Sequence, residues 1–344
     1  MKKSARHRLA ILACVCNFCC LGSSFAEVCV TQSQMQPTER AALIDATQTL
    51  AFQVQANDSA GVQKATIDEF AKNFSAMARS ISVTAPRLVG STAEIEQVYI
   101  LDATSNKAKA DGSMPDGDFV CTLNKGSGEA DFSIASLPPG RYGFSIVQFT
   151  GASPWMVSML LRQDSAGKPW KLAGLYPKES LAAGHDGLWF WAQARAMASA
   201  KQGWVAYLYY QEAQQLLRPA IFVSSTHLES LRSEAAQAAP PELADELSPQ
   251  TPLVIHASDG KQYRISSIAP DNSLRKDKLD VVVHLLLDPS VSDQAAANQV
   301  SHEAVLAFLL QHPELRTSFH GVWVIAEASG RPVATVELPM EEIR

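Results

Sequence analysis

The chain carries no basic excess: 29 Lys and Arg stand against 35 Asp and Glu in 344 residues, a formal charge of −6. That balance argues against nucleic acid as a partner, because a phosphate-binding surface needs clustered cations. Beyond residue 26 no stretch approaches ~18 uncharged apolar residues, so no later segment reads as a membrane span. Familiar catalytic signatures are missing as well. There is no Gly-x-Ser-x-Gly elbow, no Gly-x-x-x-x-Gly-Lys phosphate loop, no Gly-x-Gly-x-x-Gly and no His-Glu-x-x-His. Ser301-His302-Glu303 starts like the last of these, but Leu306 stands where the second His belongs. Cysteine is scarce past residue 20. Cys29 and Cys121 alone remain, too few and too far apart for a structural zinc cluster. These residues call for no cofactor and no metal.

What is present begins at the N-terminus. Lys2, Lys3, Arg6 and Arg8 precede an apolar run from Leu9 to Leu21, and Ser24-Phe25-Ala26 places small residues where a signal peptidase cuts. Residues 1–26 therefore read as a secretory signal peptide, with an uncleaved N-terminal anchor as the alternative. Cleavage would take the formal charge from −6 to −10 by removing those four cations. The expected location is periplasmic or secreted. In such an oxidising compartment Cys29 and Cys121 suggest one disulfide, although two free thiols fit the sequence equally well.

The rest divides by periodicity. Pro37 and Thr38 open a helix to about residue 56, with Ile44, Thr47, Leu50 and Val54 at helical spacing. Thr66-Ile67-Asp68-Glu69 has the form of a capping box for a second helix, which Phe70, Phe74 and Met77 continue to Pro86. From Glu94 the period becomes two. Residues 94–103, 118–123, 130–136, 141–149, 155–163 and 170–176 are predicted strands, separated by Gly- and Pro-rich turns. Helices followed by a curved antiparallel sheet make an α+β class.

The helix pair around Asn57-Asp58 and Gly61-Val62, with the ending Met159-Leu160-Leu161-Arg162-Gln163-Asp164 and Trp170-Lys171-Leu172-Ala173-Gly174-Leu175-Tyr176, resembles the NTF2-like (cystatin-like cone) superfamily over residues 37–178. The resemblance implies a cone-shaped sheet with a pocket between sheet and helices. Such domains bind small apolar ligands, catalyse reactions or serve as scaffolds. Tyr142, Phe144, Trp155, Val157 and Met159, together with Ile146, are the expected pocket residues. Catalytic members hold an Asp/His or Asp/Tyr pair in the cone. Tyr99 and Asp102 do not make one, since three residues of strand separate them and put them on opposite faces. A second likeness covers less of the chain. Asp131-Phe132-Ser133-Ile134 through Leu137-Pro138-Pro139-Gly140-Arg141-Tyr142 is similar to the hairpin of prealbumin-like sandwich modules.

Residues 183–238 read as a helical hairpin. Its Gly203-Trp204 turn, with Ala206, Tyr210, Ala213 and Pro219, resembles a single tetratricopeptide repeat, which implies a peptide-gripping face. Residues 239–252 are Pro-rich and acidic, as a linker is. Residues 253–344 give the order β-β-β-α-β-β, a small α+β domain.

Ala183-Gly184-His185-Asp186-Gly187 is the most site-like loop. His185 beside Asp186 has the makings of a general base, whereas Asp186 alone has the makings of a helix cap. Ser224-Ser225-Thr226 and Thr226-His227-Leu228-Glu229 are further caps. His256, His284, His302, His312 and His320 would hold a metal only if the fold gathered three of them. The leading expectation is thus an exported cell-envelope protein that binds a partner protein or a small apolar ligand without catalysis. The alternatives are a periplasmic enzyme, sited in the cone or at His185 and Asp186, and a peptide-gripping scaffold.

Overall fold

The computed structural model describes residues 28–123, 126, 128–243 and 245–343. The expected signal segment, 1–26, lies outside them. The chain is α+β. It opens with β1 (Val28–Thr31), then α1 (Pro37–Gln55), α2 (Ser59–Lys64), α3 (Asp68–Ala71) and α4 (Ser75–Leu88). Strands β2 (Thr92–Asp102), β3 (Gly117–Leu123), β4 (Gly128–Ile134), β5 (Arg141–Thr150), β6 (Trp155–Gln163) and β7 (Lys171–Glu179) follow. A small hairpin, β8 (Leu181–Ala182) and β9 (His185–Asp186), leads into α5 (Gly187–Ser199) and α6 (Gly203–Leu217), then β10 (Val223–Ser225) and α7 (Thr226–Ala238). The last part is β11 (Leu253–His256), β12 (Gln262–Asp271), β13 (Asp280–Leu286), α8 (Gln294–Gln311), α9 (Leu315–Ser318), β14 (Gly321–Ala328) and β15 (Arg331–Pro339).

The first half has three layers around one antiparallel sheet, ordered β1-β2-β5-β6-β7. One face carries Val98, Ile100, Val147, Phe149, Val157, Met159 and Leu161, and packs on Leu43, Leu50, Val54, Val62, Ile81 and Leu88 of the helices. Gly143 lets α1 come close, because a Cβ there would meet Leu43 Cδ1 at 2.5 Å. The other face carries Tyr99, Leu101, Tyr142, Phe144 and Ile146, and packs on Phe119, Cys121 and Phe132 of a second sheet, β10-β4-β3. Burial on both faces explains why β5 and β6 are almost continuously apolar rather than cleanly alternating. Cys29 on β1 and Cys121 on β3 pair as a disulfide, with Cα atoms 5.2 Å apart, and so join the two sheets.

The expected unit 37–178 takes core residues from outside itself. Ala220 and Val223 are buried in its second core, and Phe222 stacks edge-on against Phe144 and Tyr176. β10 pairs with β4, Val223 opposite Phe132.

The second half is one core. Helices α5 and α6 share it with the mixed sheet β11-β12-β13-β14-β15, from Ala182 to Ile343. The parallel pair β13 and β14 is joined by α8, as a parallel crossover requires. Trp204 of α6 meets Phe308 of α8 edge-on. Within the expected linker 239–252, Leu243 is buried in this core. The face of α6 that the repeat likeness would offer to a peptide is therefore occupied by the protein's own sheet and helix.

Candidate functional site: a cleft at the seam

Two clefts adjoin, one of about 460 Å³ where the halves meet and one of about 350 Å³ beside it, lined by the second half. Ala183 and Asp277 line both. The wall between them is the turn of the β8–β9 hairpin, a two-residue loop, Ala183-Gly184, closed by the pair Ala182 and His185. Both loop residues have positive φ, +47° and +79°. That is the turn which matches strand twist in short hairpins, and it asks for Asn or Gly where Ala183 stands.

The larger cleft has Arg87 from α4, Trp155 from β6, Glu179 from β7, and Asn272, Lys276 and Asp277 from the β12–β13 loop. Glu179 binds Lys276 as an ion pair at 2.5 Å and accepts from Asn272 Nδ2 at 3.3 Å, which ties the two halves together. The smaller cleft is aromatic: His185, Trp189, Phe190, Tyr209, Phe319 and His320, with Lys278 at its rim. The His185 ring stacks flat on Trp189, centroids 3.7 Å apart and planes 9° apart. Asp186 caps α5, accepting from Trp189 N–H at 2.8 Å. The two residues of the expected acid–base pair thus face different partners. Asp186 completes a helix end, and His185 forms an aromatic wall.

The remaining expected site residues are spread over both faces of the first sheet. Tyr142 and Phe144 point at the second sheet, while Val157 and Met159 point at the helices. Registry decides this: Phe144 stands opposite Leu160, and Val147 opposite Val157. Within each strand the period was right, but the two stripes belong to opposite faces. All four are buried in filled cores, and Tyr142 O–H donates to the Pro138 carbonyl at 2.9 Å. Of the five, Trp155 lines the larger cleft. The five singled-out histidines do not gather. His256 lines a separate groove near Lys261 and Glu303, His284 pairs with Glu327, His302 is exposed, His312 packs on Trp204, and His320 meets Asp280.

Two capping boxes shift on folding. Ser225, not Thr226, caps α7 by accepting from Leu228 N–H, and Thr226 Oγ1 instead accepts from Glu129 N–H at 2.9 Å. Thr66 is drawn into a parallel bridge with Leu172, and its hydroxyl donates to Val62 O at 2.7 Å.

Near the larger cleft lie two charges the sequence reading passed over, Glu212 buried and Lys178 half-buried. Glu212 of α6 is 2% exposed, and burial, helped by Asp271, pushes its carboxyl up to about 7. Burial likewise pulls Lys178 down to about 8, while its ammonium donates to the Arg218 carbonyl at 2.6 Å. No family model, curated protein or solved structure matches the chain.

Proposed function

We propose that this is an exported cell-envelope protein that binds a small amphipathic anion in the seam cleft, without catalysis. The carrying observation is the lining itself. Flat rings, Trp155 in one cleft and His185, Trp189 and Tyr209 in the other, lie beside Arg87 and Lys278. Neither cation forms an ion pair among the described residues. Concave, partly apolar lining with a few fixed charges is the ordinary composition of a small-molecule site. The export part of the reading rests on the basic and apolar N-terminal segment. It gains support from the paired cysteines, which persist in oxidising compartments. Helices against one face of a five-stranded antiparallel sheet support the NTF2-like part. The ligand in this proposal does not sit inside a cone, because side chains fill both faces of that sheet.

Native mass spectrometry of the protein purified from an envelope extract tests the reading. The expected result is a co-purifying small acid, released on denaturation and absent from the Trp189→Ala and Arg87→Gln/Lys278→Gln variants. A ligand-free mass under gentle desalting, or an adduct retained in those variants, would defeat it.

A further inference from the structure

Asp280, at the start of β13, is 1% exposed. A carboxylate taken this far out of water needs donors or cations on both oxygens. His320 Nδ1 lies 3.0 Å from its Oδ1, but its Oδ2 has no hydrogen-bond partner. Glu337 of β15 brings Oε1 to 3.8 Å from the same His320 nitrogen. That oxygen is buried and also lacks a well-formed hydrogen bond. Arg275 faces the pair, with Nη2 3.0 Å from Glu337 Oε1 and Nη1 3.3 Å from His320 Nε2. A guanidinium only donates, so Nε2 accepts, and the ring proton sits on Nδ1 and points to Asp280.

The sheet brings these groups together. β13 and β14 run parallel with Val281 opposite Val322, which sets Asp280 beside Gly321 and its neighbour His320. β15 returns antiparallel, Trp323 opposite Glu337. Gly321 keeps the corner clear, since a Cβ there would stand 3.1 Å from Asp280 Oδ1 and 2.9 Å from the Leu338 carbonyl.

The geometry points to a zinc site, with His320 Nδ1 and one oxygen each from Asp280 and Glu337 as ligands. The three ligand atoms lie within 4.8 Å of one another. Tetrahedral zinc with ~2.0–2.1 Å bonds sets its ligands about 3.3 Å apart. The separations of 3.0 and 3.8 Å bracket that value. One neutral imidazole and two carboxylates balance a divalent ion, and three protein ligands leave the fourth position open. A buried carboxylate oxygen with no partner, Asp280 Oδ2, beside a second one met only by the Arg275 guanidinium, is what such a site looks like before its ion arrives. Arg275 then serves as the stand-in cation of the metal-free protein. When Nδ1 takes the metal, the ring proton moves to Nε2, which stops accepting from Arg275. The guanidinium, its side chain 45% exposed, swings outward. No net proton leaves the ring.

His320 also lines the smaller cleft, but the inference needs no ligand there, and its probe is Zn²⁺ alone. The disulfide-intact protein is stripped with a chelator and titrated by calorimetry at pH 7.5. The set is wild type, Glu337→Gln, His320→Gln and Arg275→Gln. One ion per chain is expected. Affinity should fall at least ~10-fold in the first two variants and rise in Arg275→Gln, since removing a ligand weakens a site and removing a competing cation strengthens it. Zinc should raise the thermal midpoint of wild type and leave that of Glu337→Gln unmoved. Arg275→Gln alters an exposed side chain and keeps the test open if a ligand variant misfolds. A purely structural ion network predicts no gain in zinc affinity for it. That result would overturn the inference. So would the absence of stoichiometric binding in wild type, or binding unchanged in both ligand variants.

Discussion

Glu212→Gln should make the protein more stable above neutrality and leave it unchanged in acid. Glu212 sits at 2% exposure where α6, β7 and β12 meet, with Asp271, Lys178 and Glu179 as its charged surroundings. Its carboxyl is pushed up to about 7 from an ordinary 4.5, chiefly by burial. A folded-state value above the unfolded one means the folded protein holds the proton more tightly. Below pH 4.5 both states are protonated and the site is neutral to stability. Between pH 4.5 and 7 the unfolded chain ionises first, and the penalty grows. It then levels at about 3 kcal/mol, the free-energy equivalent of that shift. Glutamine reproduces the neutral acid in shape but gives up the attraction to Lys178. The net gain at pH 8 is therefore ~1–3 kcal/mol. Urea unfolding followed by tryptophan fluorescence at pH 4.5, 6 and 8 measures it, with the disulfide kept oxidised. Should Glu212→Gln prove less stable than wild type at pH 8, the carboxylate is charged and held by Lys178, and the reasoning from burial fails.

Three further outcomes are expected. Cys121→Ser removes a cross-link across 92 residues and should lower unfolding stability by about 4–5 kcal/mol in the chain-entropy view, read as the urea-midpoint difference from oxidised wild type. Equal midpoints would mean the sheets hold each other without it. Ala183→Asn relieves a left-handed residue at φ +47° and should gain ~1 kcal/mol by thermal unfolding; a loss would show that the turn is not locally strained. Glu234 accepts from Trp191 Nε1 at 2.8 Å and from Arg195 through two bonds of 2.7 Å, and these partners, Arg195 foremost, hold its carboxyl down at about 2. Its contribution is complete above pH 4.5 and fades toward pH 2, so Glu234→Gln should cost ~1 kcal/mol at pH 7, after allowance for solvent screening. The gap should narrow toward pH 2, and one undiminished at pH 2.5 would contradict the assignment.

Much of the architecture could be read from residue spacing. The strand stripes of residues 141–149 and 155–163 and the C-terminal order β-β-β-α-β-β appear in the fold nearly as expected. The Ser329-Gly330 hairpin turn has both residues at positive φ. These signals are local: a period of two, a turn residue, a helix cap. What they leave open is which stripe of one strand shares a face with which stripe of the next, and Phe144 and Val157 fell on opposite faces for that reason. β10 spans Val223–Ser225, too short to show any period. The seam clefts draw on segments near residues 87, 155, 183 and 277, and His320 reaches Asp280 from the neighbouring parallel strand. Long-range pairing made those sites, and no sequence window contains it. The caps moved by a residue or were lost because a hydroxyl has several nearby amides to choose from, and tertiary contacts at Leu172 and Glu129 decided among them.

The strand β10 has a consequence for how the chain is made. It completes a layer whose other members, β3 and β4, left the ribosome roughly ninety residues earlier. Until Phe222 and Val223 emerge, Phe144 and Tyr176 each lack a ring partner, and the small sheet keeps an open edge along β4. The first half is thus a lock whose key is cut last. A chain stalled or cleaved near residue 183 presents a sticky, unfinished sandwich rather than a free-standing domain.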